Sequence, residues 1–349
     1  MPMLRDKLAG TKPSFKVVAM PDFYLDYLVS YPGKLEELTN ELTNVARRGG
    51  GNILGWKHTV GRGGNACNLV AQLARLGTDI VPIVETDRFG YSVLEQSLPD
   101  VDLSHVRTSG TLSSTASLEV SYSGRRVNIM ASNPGSHSSF GPEKLTDEDK
   151  DLIRGANFVC VLNWGQNQKG TDLAEAVFQL AREGGAVTFF DPADPTPRAS
   201  DIQGLNKRVL TSGLVDVLSV NENELLQLAS VVRDETAEMG EAPLFEAASV
   251  FSMLAVRVDL HTSEFSATFI DGQRVRVPCL KFEPVKVTGA GDVWNAADIF
   301  AQGVGLDHEE RLTFANAASA AYLKKPGLDP PSLEDILREV EHVEKLSVH

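Results

Sequence analysis

Beyond Gly141 the chain repeats one pattern that leaves few folds open: a short apolar strand, a turn, an amphipathic helix, then another short apolar strand. The runs Asn157 to Leu162, Ala186 to Asp191 and Val215 to Val220 read as strands, with helical spacing near Asp172 to Arg182 and again from Glu222. Short strands joined through helices imply a mostly parallel sheet covered on both faces, because parallel neighbours need a crossover and the crossover helices bury both sides. Phe15 to Met20 (FKVVAM) adds a buried strand that ends at Pro21 and Asp22. With 349 residues, 42% of them hydrophobic, the chain can fill a large core.

The remaining segments decorate that core. Leu35 to Arg48 has helical spacing and is broken by Gly49, Gly50 and Gly51. From Asn65 to Leu76 the residues Ala66, Leu69, Val70, Leu73 and Leu76 recur at helical spacing, and Gly77 follows as a C-terminal cap. Between Thr111 and Val127 two β-like runs flank Ser123 and Gly124, a hairpin signal. One α/β core with a small β element fits this order better than two independent domains.

Composition excludes several classes. A formal net charge of −14 opposes nonspecific nucleic-acid binding, which needs basic surface to neutralise phosphates. No run of about 18 apolar residues could cross a bilayer, and the start MPMLRDKLAGTKPSF lacks the apolar core of a secretory signal, so a cytoplasmic protein is expected. Cys67, Cys160 and Cys279 are too few and too scattered for a disulfide framework or a zinc site; all three are expected to be buried thiols.

The sharpest local signal is Thr288-Gly289-Ala290-Gly291-Asp292, followed by the helical run Val293 to Gln302. Glycines entering a helix let backbone N–H groups converge on an anion, and the helix dipole adds positive potential there. Asp292 beside such a cradle could take the proton of an attacking hydroxyl while the amides hold the transferring phosphoryl group. The alternative is a tight turn whose aspartate merely caps the helix. No Walker loop is present, since no glycine-rich segment ends in Gly-Lys-Ser or Gly-Lys-Thr. A second motif, Gly63-Gly64-Asn65-Ala66-Cys67-Asn68, puts two glycines before a helix that carries Asn68, which can both donate and accept hydrogen bonds.

At these residues the chain resembles the PfkB carbohydrate kinases of the ribokinase-like superfamily. The early Gly63, Gly64 and Asn68 and the late Gly289 to Asp292 stand in the family's order. Asn221-Glu222-Asn223-Glu224 looks like its N-x-x-E motif, Asp191 with Arg198 its D-x-x-x-R-type loop, and Ala315-Asn316-Ala317-Ala318 the helix lining its nucleotide site. The resemblance implies one ribokinase-like three-layer domain over residues 1–349, with a β-rich lid from about 23–60 and 110–133. It implies transfer of the terminal phosphoryl group of ATP or ADP, with Mg2+, to a hydroxyl of a sugar or sugar phosphate. Asp292 becomes the base and the Gly289, Ala290 and Gly291 amides the anion hole. Asp26, Gly63, Gly64 and Asn68 would bind the sugar-like acceptor. Asn221, Glu224, Thr288 and Asn316 would attend the nucleotide, Glu224 reaching the metal through water. Family members often pair through their lids, which implies a homodimer.

Three positions depart from the family pattern. Lys286-Val287 stands where Asp-Thr is usual, Pro21 ends the first strand, and Asp259 to Glu264 replaces the usual Gly-x-x-Gly near the nucleotide. Arg62, Arg125 and Arg126 are candidate cations for a phosphorylated substrate, although Arg125 and Arg126 follow Ser123-Gly124 and read first as a solvated hairpin turn. A nucleoside kinase is the alternative if Phe23, Tyr24 or Trp56 stacks on a base, and a ligand-binding relative without catalysis is the other.

Overall fold

Along the first strand, β1 (Lys16–Met20), Val17 and Ala19 belong to one buried cluster while Val18 and Met20 belong to another. Successive strand side chains point to opposite faces, so this division means that both faces of the sheet are covered. The computed structural model describes the chain apart from residues 1–3, 9, 234–239, 254–256 and 348–349. Among the described residues no helix is long and apolar enough to cross a membrane.

In chain order, β2 (Tyr24–Lys34), β3 (Lys57–Gly63) and β4 (Asp79–Pro82) follow, then the short β5 (Val84–Glu85) and β6 (Val106–Arg107). Next come β7 (Ser114–Tyr122), β8 (Arg125–Asn133), β9 (Phe158–Leu162), β10 (Val187–Asp191), β11 (Val217–Val220), β12 (Arg257–His261), β13 (Phe265–Ile270) and β14 (Gln273–Pro278). Eight of them form the central sheet in the order β14-β13-β12-β11-β10-β9-β1-β4. Pairing is parallel from β4 to β12 and antiparallel through β13 and β14. Helices Asn65–Arg75, Ala290–Gly303, His308–Leu323 and Leu333–Ser347 pack on one face. Helices Asp147–Gly155, Gly170–Gly184, Glu222–Arg233 and Glu241–Ser252 pack on the other.

A second, four-stranded sheet runs in the order β3-β2-β7-β8. Its β2 starts four residues after β1 ends, so this sheet hangs over the carboxyl edge of the central one. The hairpin joining β7 to β8 turns through Ser123 (φ 49°) and Gly124 (φ 78°), two positive φ angles whose twist suits adjacent strands. Helix Leu35–Arg47 packs against it through Leu38, with Tyr31 and Val120 beneath.

Strand order reverses beside β1: the chain passes from β1 out to β4, then returns to β9 on the other side. In open α/β sheets a crevice forms at such a point, outside the carboxyl ends of the strands. Asp22, Asn163, Asp191, Asn221 and His261 all stand at or just beyond those ends.

Candidate active site

Asp22, fully buried at the exit of β1, accepts hydrogen bonds from the Asn65 amide at 2.8 Å, the Ala66 amide at 2.9 Å and Asn163 Nδ2 at 2.9 Å. It therefore fills the N-terminus of the helix Asn65–Arg75 and anchors it to the sheet. Gly64, at φ 88°, makes the sharp entry to that helix; a Cβ there would meet Asp22 Oδ2 and the Tyr24 amide at 3.0 Å. Asp26, on β2, lies over Gly63, where a Cβ would fall within 2.1–2.3 Å of the carboxyl group. Burial raises the Asp26 carboxyl to about 7; Arg62 pulls it down and Asp22 pushes it up.

Asn68, one turn into the same helix, joins the two motifs of the sequence. Its Nδ2 donates to Asp292 Oδ2 at 2.8 Å, and its Oδ1 accepts from Arg62 Nη1 at 2.5 Å. Because guanidinium can only donate, Arg62 fixes which end of the Asn68 amide faces Asp292. Arg62 also donates to the carbonyls of Cys67 at 3.1 Å and Leu328 at 3.2 Å. It braces the site from behind rather than waiting for a phosphate.

Asp292 sits in the first turn of the helix Ala290–Gly303, whose N-terminal cap is Gly289 in the left-handed region (φ 83°). Gly289 has no side-chain oxygen to cap that helix, so its first amides remain available to an anion. Burial drives the Asp292 carboxyl well above the carboxylate range; the Asn68 bond opposes this, while Asp191, Asp22 and Asp26 reinforce it.

Two clefts meet at this turn. One, of about 370 Å³, is lined by Asp26, Gly64, Asn68, Thr288, Gly289 and Asp292 together with Tyr24 and residues of the second sheet. The other, of about 430 Å³, has Trp294, Asn316, Phe282 and Leu323 in its wall. Asn221, His261 and Gly291 border both. Gly63 lines neither cleft but carries Asp26 above it, and Ala290 borders the second.

The other expected site residues are distributed as follows. Asn221 and Glu224 bond reciprocally, with the Asn221 amide and Nδ2 donating to Glu224 at 2.9 and 2.7 Å and the Glu224 amide returning to Asn221 Oδ1 at 3.0 Å. Burial and then Asp191 raise Glu224 well above its usual value. Asp191 accepts from the Ala193 amide at 2.8 Å and Asn295 Nδ2 at 2.7 Å, and burial lifts it to about 6. Thr288 Oγ1 accepts from Asn128 Nδ2 at 2.6 Å, tying the second sheet to the glycine turn. Asn316 borders the second cleft, but its amide is engaged by Trp294 Nε1 at 2.9 Å and the Pro278 carbonyl at 3.2 Å.

Arg198, read with Asp191 as one loop motif, lies outside the cleft that Asp191 lines: its guanidinium stacks 4.3 Å above Trp164 and bonds Asp201. Arg126 donates to Ser30 Oγ at 2.7 Å within the second sheet. Of the aromatics considered for base stacking, Phe23 is core and Trp56 packs on Tyr31, leaving Tyr24 in the cleft wall. Cys279 is half-buried at the second cleft, whereas Cys67 and Cys160 are buried.

The departures from the family pattern acquire physical content. Lys286 Nζ lies 3.3 Å from the Tyr322 ring and donates to the Gly327 carbonyl, and burial lowers the ammonium to about 8. Tyr322 in turn underlies Gly289, where a Cβ would come 3.0 Å from its hydroxyl. Lys286 thus supports the glycine turn and lines neither cleft. Asp259 faces inward to Arg257 at 2.8 Å and Arg311 at 3.1 Å. Asn128 and Asn163 carry no signal in the sequence, whereas Asp22 is marked by its place at the exit of a buried strand.

Comparison with known proteins agrees with this architecture. The chain is 22% identical to the ribokinase of Lactococcus lactis over 309 residues, 86% of this chain and 93% of that protein. The structure of Arabidopsis thaliana ribokinase complexed with ribose and ATP matches with a TM-score of 0.71 at 20% identity, covering 95% of this chain and 99% of that one. Adenosine kinase from Sinorhizobium meliloti matches with a TM-score of 0.71 at 17% identity, covering 95% and 99%. Identities this low establish a shared fold, the ribokinase-like α/β fold. The pfkB family carbohydrate kinase model matches residues 37–335, most of the length, and the chain therefore belongs to the pfkB family of carbohydrate kinases, phosphotransferases with an alcohol group as acceptor.

Proposed function

We propose that the chain transfers the terminal phosphoryl group of ATP, or of a related nucleotide, to a hydroxyl of a sugar-like acceptor, with Asp292 as the base. The observation that carries this reading is the position of Asp292, bonded to Asn68 in one cleft and one residue from Gly291, which borders both. The nucleotide would occupy the cleft beside Trp294 and the acceptor the cleft beneath the second sheet. The acceptor hydroxyl gives its proton to the Asp292 carboxylate as its oxygen bonds to the terminal phosphorus. The bond from that phosphorus to the bridging oxygen breaks, and the nucleoside diphosphate leaves with the electron pair. The first-turn amides at Gly289, Ala290 and Gly291 hold the charge on the transferring group. Release of ADP that depends on an added acceptor, absent without one, is the direct test.

Among the described residues no three His, Cys, Asp or Glu side chains are arranged to hold a metal ion. Both oxygens of Glu224 already accept from Asn221. That arrangement fits a magnesium ion carried on the phosphates, with Glu224 and Asn221 orienting its waters rather than replacing them. When bound, magnesium would neutralise phosphate charge. Glu224→Gln is expected to raise the magnesium concentration needed for half-maximal activity about 10-fold. A magnesium titration at saturating acceptor checks this, and an unchanged midpoint removes Glu224 from the role.

Asp26 would accept hydrogen bonds from acceptor hydroxyls, which needs its ionised form. With its carboxyl near 7, kcat/KM for the acceptor is expected to rise with pH through about 7. Asp26→Asn should abolish that limb while the nucleotide KM holds. A pH profile of both enzymes decides it.

A further inference from the structure

The proposed acceptor cleft contains no cation. Among its described lining residues there is no lysine or arginine, while Asp26, Asp191, Asp194, Glu224 and Asp292 all contribute. The nearby cations are committed elsewhere: Arg62 to Asn68 and two backbone carbonyls, Arg126 to Ser30, Lys286 to Gly327. Arg62 Nε has no partner, but it is buried behind the wall. A phosphate or carboxylate carried into this cleft by the acceptor would meet carboxylates and no basic side chain to offset them, the glycine-turn amides being taken by the transferring group.

What the acceptor end offers instead is hydrogen-bond acceptors. Asn163, 3% exposed, commits Nδ2 to Asp22, and its buried Oδ1 has no partner. Asn163 is among the residues lining the cleft, its Oδ1 covered, and such an oxygen can be satisfied only by a donor. Asp26 lines the same cleft as an acceptor. A hydroxyl group fits Asp26, and a phosphate oxygen does not.

Among the described lining residues Tyr24 and His261 carry the aromatic rings, and His261 packs on Trp294 with ring centroids 5.1 Å apart. Tyr24 is 2% exposed, its hydroxyl donates to Gln166 at 2.7 Å, and its ring meets His137 edge to face at 5.8 Å. Its face is closed to stacking. We infer that the acceptor is an uncharged, non-aromatic polyol, a free sugar or sugar alcohol, and that sugar phosphates and nucleosides are rejected. This rests on the acceptor cleft assigned under the proposed function.

The test offers the full chain a panel of neutral pentoses, hexoses and alditols, with ribose 5-phosphate, fructose 6-phosphate and adenosine as counter-probes. Calorimetric binding without nucleotide is read alongside ADP release with ATP and magnesium. At least one neutral compound is expected to bind, and to turn over with kcat/KM at least about 100-fold above the counter-probes. Binding of neutral compounds without turnover would uphold the inference and remove phosphoryl transfer to them, so the two readings fail separately. Tighter binding or faster turnover of a phosphorylated compound or of adenosine, or no binding by any neutral compound, would overturn it. Met130→Arg adds the missing cation at an exposed cleft position. It should raise the ratio of ribose 5-phosphate binding to neutral-sugar binding about 10-fold; no gain in that ratio would count against the inference.

Discussion

Asp292→Asn is expected to lower kcat about 1,000-fold while nucleotide affinity stays within about threefold. Asparagine keeps the size of the side chain and can still meet Asn68, so the glycine turn should hold its shape. Only the capacity to take a proton is lost. The same substitution should not destabilise the fold, and the sign follows from linkage. Burial and neighbouring carboxylates raise the Asp292 carboxyl well above its unfolded value. A group raised in this way contributes stability below the unfolded pKa and loses it as pH rises through the folded one. At neutral pH and above, the asparagine variant should therefore melt at an equal or higher temperature than the parent. Loss of turnover with retained Tm and nucleotide binding would assign Asp292 to catalysis; parental turnover would remove it from the mechanism.

Gly63→Ala should be the most damaging single methyl in the acceptor cleft. The added Cβ would lie 2.1 Å from Asp26 Cγ and within 2.3 Å of both oxygens, far inside contact distance. Gly63 is not at positive φ, so its backbone accepts alanine, and the cost falls on the Asp26 side chain. Because a displacement near 1 Å in a positioning group can cost about 100-fold, acceptor kcat/KM should fall by about that factor. The KM for nucleotide should remain near its parental value, since the second cleft is untouched. Steady-state kinetics in both substrates separates the two. An equal loss for nucleotide and acceptor would show a general disturbance and sink the assignment of Asp26 to the acceptor.

Much of this was legible before any coordinates. The short apolar runs beyond Gly141 could be buried on both faces only in a helix-covered, mostly parallel sheet. The Ser123-Gly124 hairpin and the Gly64 and Gly289 helix entries were readable because few residues tolerate those backbone angles. What spacing could not disclose was occupancy. Arg62 looked like a phosphate ligand, yet its N–H groups orient Asn68; Asn316 lies beside a cleft with its amide already bonded. Arg198 lies seven residues from Asp191 but turns to Trp164.

The sequence by itself determined the covered sheet, the glycine-led helix starts and the family, because strand periodicity, glycine geometry and motif order are local or linear properties. Tertiary structure alone decided that Asn68 and Asp292, 224 positions apart, share a hydrogen bond. It also decided that Lys286 props Tyr322 beneath the glycine turn, and that five carboxylates, Asp26, Asp191, Asp194, Glu224 and Asp292, line one cleft whose described lining residues include no lysine or arginine. Those outcomes depend on which side chain reaches a partner first across the carboxyl edge of the sheet, and linear order does not encode that distance.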